Sequence, residues 1–198
     1  SGYSAVSTFG SIDVIRCADS TCSTFTRNTA VEDIPSDTSL GLVLDPADNP
    51  MVAYSYNVTG EVSVRVVRCE DPACAAAGEA NYLAAGTAPA LQVLDVGLTA
   101  SDQPTVALDH PGEYALLWLC ETSECSSSSG GFLSADQELG SDYSLTFGAA
   151  GLPVISFAAN GLVAAFCSDD NCTSGNVDLR QIDVSSPDTG LHSTVEFH

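Results

Sequence analysis

The sequence predicts an all-β fold made of four copies of one unit, and three observations predict it. A short loop closed by cysteines recurs four times: CADSTC (17–22), CEDPAC (69–74), CETSEC (120–125) and CSDDNC (167–172). Its first cysteines, Cys17, Cys69, Cys120 and Cys167, lie 52, 51 and 47 residues apart, a period that marks a repeat architecture. Apolar residues alternate with a period of two ahead of each later loop, and no stretch of 11 or more residues keeps a helical period.

Each element of the unit follows from its residues. LGLVLDPADNPMVAYSY (40–56) matches LDVGLTASDQPTVALDH (94–110) and YSLTFGAAGLPVISFAA (143–159). Each opens with three alternating apolar residues: Leu40, Leu42, Leu44; Leu94, Val96, Leu98; Tyr143, Leu145, Phe147. That is a strand with one buried face. Six residues later stands a proline, Pro50, Pro104 or Pro153, which suits the first residue of a second strand because it cannot donate to a ladder. MVAYSY and PVISFA continue that strand, and NVTG, HPGE and ANGL are short turns. VSVRVV, YALLWL and LVAAF read as a third strand that runs into the cysteine loop. A more polar fourth strand follows, as in ANYLAA and NVDLRQI.

Four strands per period of this length point to a four-bladed β-propeller, a single domain over 1–198. Its blades span 188–198 with 1–34, 35–87, 88–138 and 139–187. The first repeat lacks its opening strand, and GLHSTVEFH at the C-terminus reads as one. With Val195 aligned on Phe147, the count round the ends puts Tyr3 in the proline position with no residue missing. The first blade is therefore expected to be closed by the C-terminal strand, 191–197. The alternative is that this strand enters a neighbouring copy.

The units resemble the propeller-type repeats of large secreted microbial proteins. GLPVISF (151–157) with CSDDNC and NPMVAYS with CEDPAC carry the resemblance, which covers essentially the whole chain. It implies the fold and an extracellular setting, and it brings no catalytic residues. The first repeat departs from the pattern, with Tyr3 in place of the proline.

Eight cysteines in four C-x4-C pairs are read as local disulfides, Cys17–Cys22, Cys69–Cys74, Cys120–Cys125 and Cys167–Cys172. Each would clip a hairpin for about 2 kcal/mol and imply an oxidising compartment. Structural zinc needs four ligands in one place, and each pair supplies two. The acidic residues inside the loops read as solvated turns. DPADN (45–49) could hold a cation, but TASDQ and GAAGL share none of its ligands, so it too reads as a turn. No metal and no cofactor is expected.

The net charge is −21, from 26 acids against five arginines and no lysine. Such a surface repels nucleic acid and anionic lipid, and the lack of lysine removes Schiff-base chemistry. No apolar run spans a bilayer, and no charged, then apolar segment opens the chain, so a signal peptide was never present or was removed before residue 1. Asn57 and Asn171 head candidate glycosylation sequons, and SSSSGG (126–131) reads as a flexible loop.

Catalytic motifs such as G-x-S-x-G and H-E-x-x-H are absent, and His110, His192 and His198 fall at a turn, on the joining strand and at the terminus. Trp118 stands alone of its kind among leucines, a core position. Tyr54, Tyr56, Phe157 and Phe9 are expected to pack between blades. The sequence thus reads as a non-catalytic structural or adhesive module, secreted or on the cell surface. Its partners would be copies of itself or extracellular glycans, in a surface assembly or filament. A lectin-like, carbohydrate-binding role is the alternative, and a glycosidase the third reading.

Overall fold

The computed structural model describes residues 2–8, 10–35, 38–58, 61–78, 80–86, 92–110, 114–132, 141–158, 161–170, 172 and 176–183. Fifteen strands form four antiparallel sheets among them. Sheet 1 holds β1 (Gly2–Thr8), β2 (Gly10–Cys17) and β3 (Phe25–Ile34). Sheet 2 holds β4 (Ser39–Leu44), β5 (Pro50–Val58), β6 (Glu61–Arg68) and β7 (Asn81–Gly86). Sheet 3 holds β8 (Gln92–Leu98), β9 (Pro104–His110), β10 (Tyr114–Cys120) and β11 (Ser128–Phe132). Sheet 4 holds β12 (Ser141–Phe147), β13 (Pro153–Ala158), β14 (Leu162–Cys167) and β15 (Val177–Asp183). Every sheet is a meander, so each connection is a hairpin or loop between adjacent strands.

The hairpins form where the sequence places turn residues. Pro50, Pro104 and Pro153 each begin the second strand, opposite Leu44, Leu98 and Phe147. The loops before them end on a left-handed residue at equivalent positions: Asp48, Asp102 and Gly151, with φ of 64°, 61° and 76°. A three-residue loop closed by one left-handed residue is a common hairpin connection, and aspartate tolerates that conformation better than bulky residues. The serine–glycine run 126–131, expected as a flexible loop, instead contributes β11, which pairs along β10. Gly130 lies opposite Trp118 so closely that a Cβ there would press on the indole ring. The tryptophan covers a glycine that would otherwise weaken the strand.

The sheets stack through three apolar cores. Ile12 and Val14 of sheet 1 meet Val52, Tyr54 and Val67 of sheet 2. Met51, Ala53 and Val64 on the other side of sheet 2 meet Val96, Val106 and Leu108 of sheet 3. Ala107 and Leu117 of sheet 3 meet Leu145, Ile155 and Phe157 of sheet 4. Tyr54, Tyr56 and Phe157 thus pack at the interfaces expected of them, while Phe9 lies outside the described residues. The first strands of sheets 2 to 4 come close because two glycines allow it. A Cβ on Gly41 would meet Val96 at 3.1 Å, and one on Gly97 would meet the Phe147 ring at 2.7 Å. Side-chain acceptors link the same strands: Val93 N–H donates to Ser39 Oγ (2.7 Å), and Leu145 N–H donates to Asp95 Oδ2 (2.7 Å).

The expected closed four-bladed propeller is corrected by this arrangement. The structure has four separate sheets, none closed, and sheet 1 has three strands among the described residues. The three cores join sheets 1 to 2, 2 to 3 and 3 to 4 as a series, with no core cluster joining sheet 4 back to sheet 1 among the described residues. The register at the chain start also differs. Gly2 lies opposite Cys17, whereas Met51 lies opposite Arg68, which places Pro50 against Cys69. Gly2, not Tyr3, occupies the proline position, so the count that made the ends meet without a missing residue is one short. The C-terminal strand 191–197 lies outside the described residues. The physical reason is that alternation specifies strands and hairpins, while the turn of one sheet on the next depends on side chains that the repeat does not share.

Gly97→Ala tests the close approach of β8 to β12. Its Cβ should force the Phe147 ring to move and destabilise the chain by about 1–3 kcal/mol, read from urea denaturation. Unchanged stability would show that the two strands are further apart.

Candidate functional site

The repeated cysteine loops are where the chemistry-bearing residues recur. All four disulfides are present, with Cα–Cα separations of 4.7 to 4.9 Å, and no cysteine is free. In each loop the second cysteine is left-handed: Cys22, Cys74, Cys125 and Cys172 have φ of 52°, 55°, 58° and 47°. That conformation costs a non-glycine residue about 1–2 kcal/mol. The turn preceding it is held from inside. The N–H of each second cysteine donates to the carbonyl three residues back, at Asp19, Asp71, Thr122 and Asp169.

The side chain at that same position caps the loop. Asp19 accepts from the N–H groups of Thr21 (2.9 Å), Ser23 (3.1 Å) and Thr24 (3.1 Å). Asp71 accepts from Ala73 (2.8 Å), Ala75 (3.3 Å) and Ala76 (3.1 Å). Thr122 Oγ1 accepts from Ser126 N–H (3.0 Å), and Asp169 Oδ2 accepts from Asn176 Nδ2 (2.6 Å). Hydrogen bonds from the Thr21 and Ser23 side chains hold the Asp19 carboxyl well below its ordinary value. Backbone bonds, first that from Ala75, lower Asp71 in the same way. Asp19 and Asp71 are therefore turn caps, a role legible in the Asx-turn chemistry of aspartate.

DPADN, the candidate cation loop, is occupied by a side chain instead. Asp45, with its side chain 1% exposed, accepts from the N–H groups of Ala47 and Asn49, both at 2.8 Å. Its Oδ2 takes a 2.7 Å ion pair from Arg68, and the same guanidinium reaches Asp102 of sheet 3 at 2.7 Å. Arg68 thus ties two equivalent hairpins together. Burial works against ionisation of Asp45, but the bonds from Arg68 and Asn49 outweigh it and hold the carboxyl below 3.8. Asp13 behaves alike in sheet 1, where burial is outweighed by Arg27, its ion-pair partner, and by Thr29 (2.8 Å). Asp95 goes the other way. Burial raises it despite the N–H groups of Leu145 and Val96.

A second set of residues escaped the sequence reading. Asn28 of β3 donates from Nδ2 to the carbonyl of Ala73 in the next sheet's cysteine loop (2.8 Å). Asn81 of β7 donates likewise to Glu124 in the loop after that (2.6 Å). Each asparagine lies opposite the residue three before a half-cystine, Val14 or Val66, so aligning the fourth strands on the cysteines would have found the pair. Below these latches the disulfides are buried. Cys69 and Cys74 pack with Ile12 and Val14, Cys120 and Cys125 with Val64 and Val66, and Cys167 and Cys172 with Leu117.

The remaining expected positions are scattered. Asn57 is exposed and lies in β5 opposite Val62, not in the turn where it was expected. Asn171, His192 and His198 lie outside the described residues. His110 ends β9. Trp118 packs against the core of sheets 2 and 3. Among the described residues no three His, Cys, Asp or Glu side chains come together as a metal set, and no helix is long and apolar enough to cross a membrane. Comparison with protein-family models finds no match, and comparison with curated proteins finds none either.

Arg68→Met should cost about 3 kcal/mol by leaving Asp45 charged and buried, and adding Asp45→Asn should restore much of that loss in urea denaturation. Asp13, Asp45 and Asp71 have folded-state pKa values below the ordinary 3.8, so their stabilisation is present above it and is lost as pH falls through lower values. Asp95, with a raised value, contributes in the opposite sense. Urea midpoints should therefore fall steeply below about pH 4, and the Arg68→Met/Asp45→Asn chain should show a shallower fall.

Proposed function

We propose that the chain is a non-catalytic structural or adhesive module of an extracellular assembly. One observation carries this reading: at the position two residues after each loop's first cysteine, Asp19, Asp71, Thr122 and Asp169 all spend their side chains on holding the loop. The feature that repeats most faithfully is thus an architectural one. Arg68, Arg27, Asn28 and Asn81 add to it, since each joins one strand or sheet to another.

Four disulfides place the folded chain in an oxidising environment. Secretion or surface display is the setting in which such a module would work. High negative charge keeps it soluble and turns away nucleic acid.

Two measurements test the reading. Intact mass under non-reducing conditions should be eight hydrogens below that of the reduced chain, one for each of the eight cysteines. A glycan array probed with the oxidised chain should show no bound sugar. Specific, saturable binding of a sugar by the folded, oxidised chain would overturn the structural assignment in favour of a lectin.

A further inference from the structure

Three polar ties join sheets 1, 2 and 3, and the equivalent positions between sheets 3 and 4 hold none of them. Asn28 latches sheet 1 to sheet 2, and Asn81 latches sheet 2 to sheet 3. The equivalent residue of sheet 3, opposite Leu117, is Gly131, which has no side chain. Arg68, the residue before Cys69, reaches Asp102 at the first hairpin of sheet 3. The residue before Cys120 is Leu119, and Gly151 holds the place of Asp102 in sheet 4.

The first strands of the sheets differ in the same way. β4 meets β8 through a hydroxyl, since Ser39 Oγ accepts from Val93 N–H. β8 meets β12 through a carboxylate. Asp95 accepts the Leu145 N–H on Oδ2 (2.7 Å) and the Val96 N–H on Oδ1 (2.8 Å), and the buried Ser144 donates to it from its hydroxyl. Asp95 stands three residues before Leu98, the place that Gly41 holds before Leu44. A Cβ on Gly41 would lie 3.3 Å from Val96 N, so β4 reaches the next sheet by bare backbone where β8 reaches it by an acid. No arginine neutralises that acid. Arg16 and Arg65 lie over Tyr3 and Tyr56, Arg27 pairs with Asp13, Arg68 with Asp45 and Asp102, and Arg180 with Asp178. β8 packs against β4, β5, β9 and β12. β4 has no titratable residue, and Tyr54 and Tyr56 of β5 face sheet 1. β9 carries Asp109 and His110, and β12 carries Asp142 and Tyr143. Burial and then the Asp109 charge raise the Tyr143 hydroxyl, so it stays neutral.

We propose that the junction of sheets 3 and 4 is a pH-sensitive joint, at which sheet 4 parts from the other sheets and which tightens as the medium acidifies. Parting uncovers Ala107 and Leu117 on one side and Leu145, Ile155 and Phe157 on the other. Burial raises the Asp95 carboxyl above 3.8 against the bonds from Leu145, Val96 and Ser144. The closed joint therefore favours the protonated acid, and the open one lets it ionise in water. That stabilisation is complete below the ordinary value and is lost as pH rises through the raised one. On protonation the Ser144 hydroxyl turns from donor to acceptor, and the Leu145 N–H keeps its carboxyl oxygen. The joint stands independently of the structural-module reading.

Amide hydrogen exchange of the oxidised chain, corrected for intrinsic rates, tests it. The window runs from about pH 7 down to about pH 4.5, where the lowered carboxyls of Asp13, Asp45 and Asp71 stay ionised. At neutral pH the amides of Leu145, Ile155 and Ala165 in sheet 4 should be less protected than those of Val52, Ala53 and Val64 in sheet 2. As pH falls, sheet 4 protection should rise by up to about tenfold per unit, while that of sheet 2 stays level. Asp95→Asn should abolish the rise. Asp95→Ser, which copies the hydroxyl at Ser39, serves should that variant misfold by far-UV circular dichroism and disulfide count. Carboxyl NMR of the wild type needs no variant: Asp95 should titrate above 3.8, in step with the Leu145 amide. Equal protection in the two sheets, sheet 4 protection that ignores pH, an Asp95 that titrates below 3.8, or a rise that survives Asp95→Asn (assigning it to Asp109, His110 or Asp142) would each overturn the joint.

Discussion

Met51 and Val52 are neighbours in β5, and neither has any exposed surface. Met51 faces sheet 3 and Val52 faces sheet 1. A sheet that buries both faces cannot be stable alone, because each face contributes only when a partner excludes water from it. At about 25 cal/mol per Å² of apolar area, the stacking is the main stabilising contribution for these sheets. Every other feature described above depends on it. The disulfides are buried because a neighbouring sheet lies over them, the asparagine latches cross the same interfaces, and the two glycines permit the close approach of β4, β8 and β12.

Polar groups at these interfaces are arranged to keep that stacking in register. A buried carboxylate is expensive unless paired, and Asp45 is paired twice over, with a hairpin backbone and with Arg68. Arg68 in turn has two acids to satisfy, one on each of two sheets. The apolar cores could tolerate small slips between sheets, whereas an ion pair bridging two hairpins cannot. Such pairs contribute more to specificity than to net stability. The loop caps work at shorter range. They hold the turn that carries the left-handed second cysteine of each loop.

Sheets 1 and 4 differ from one another in what their described outer strands expose. The first disulfide has a half-buried Cys17 and an exposed Cys22, and β15 carries an exposed isoleucine and arginine. Here Phe25 of β3 and Ile182 of β15 keep exposed apolar side chains.

Much was legible in the sequence by itself. The four-fold recurrence, most of the strands, the proline at the start of the second strand in sheets 2 to 4 and the pairing of each cysteine with its neighbour follow from short-range patterns, because side-chain alternation and turn chemistry act within a few residues. The caps at Asp19 and Asp71 were foreshadowed by aspartate's affinity for turns. Tertiary structure alone decided how the sheets meet. Whether Asp45 meets a metal or Arg68, whether SSSSGG is a loop or a strand under Trp118, and whether the sheets form a ring or a series depend on contacts between residues tens of positions apart. Those contacts are set by shape and charge across an interface, and a sequence period does not encode the angle between two sheets.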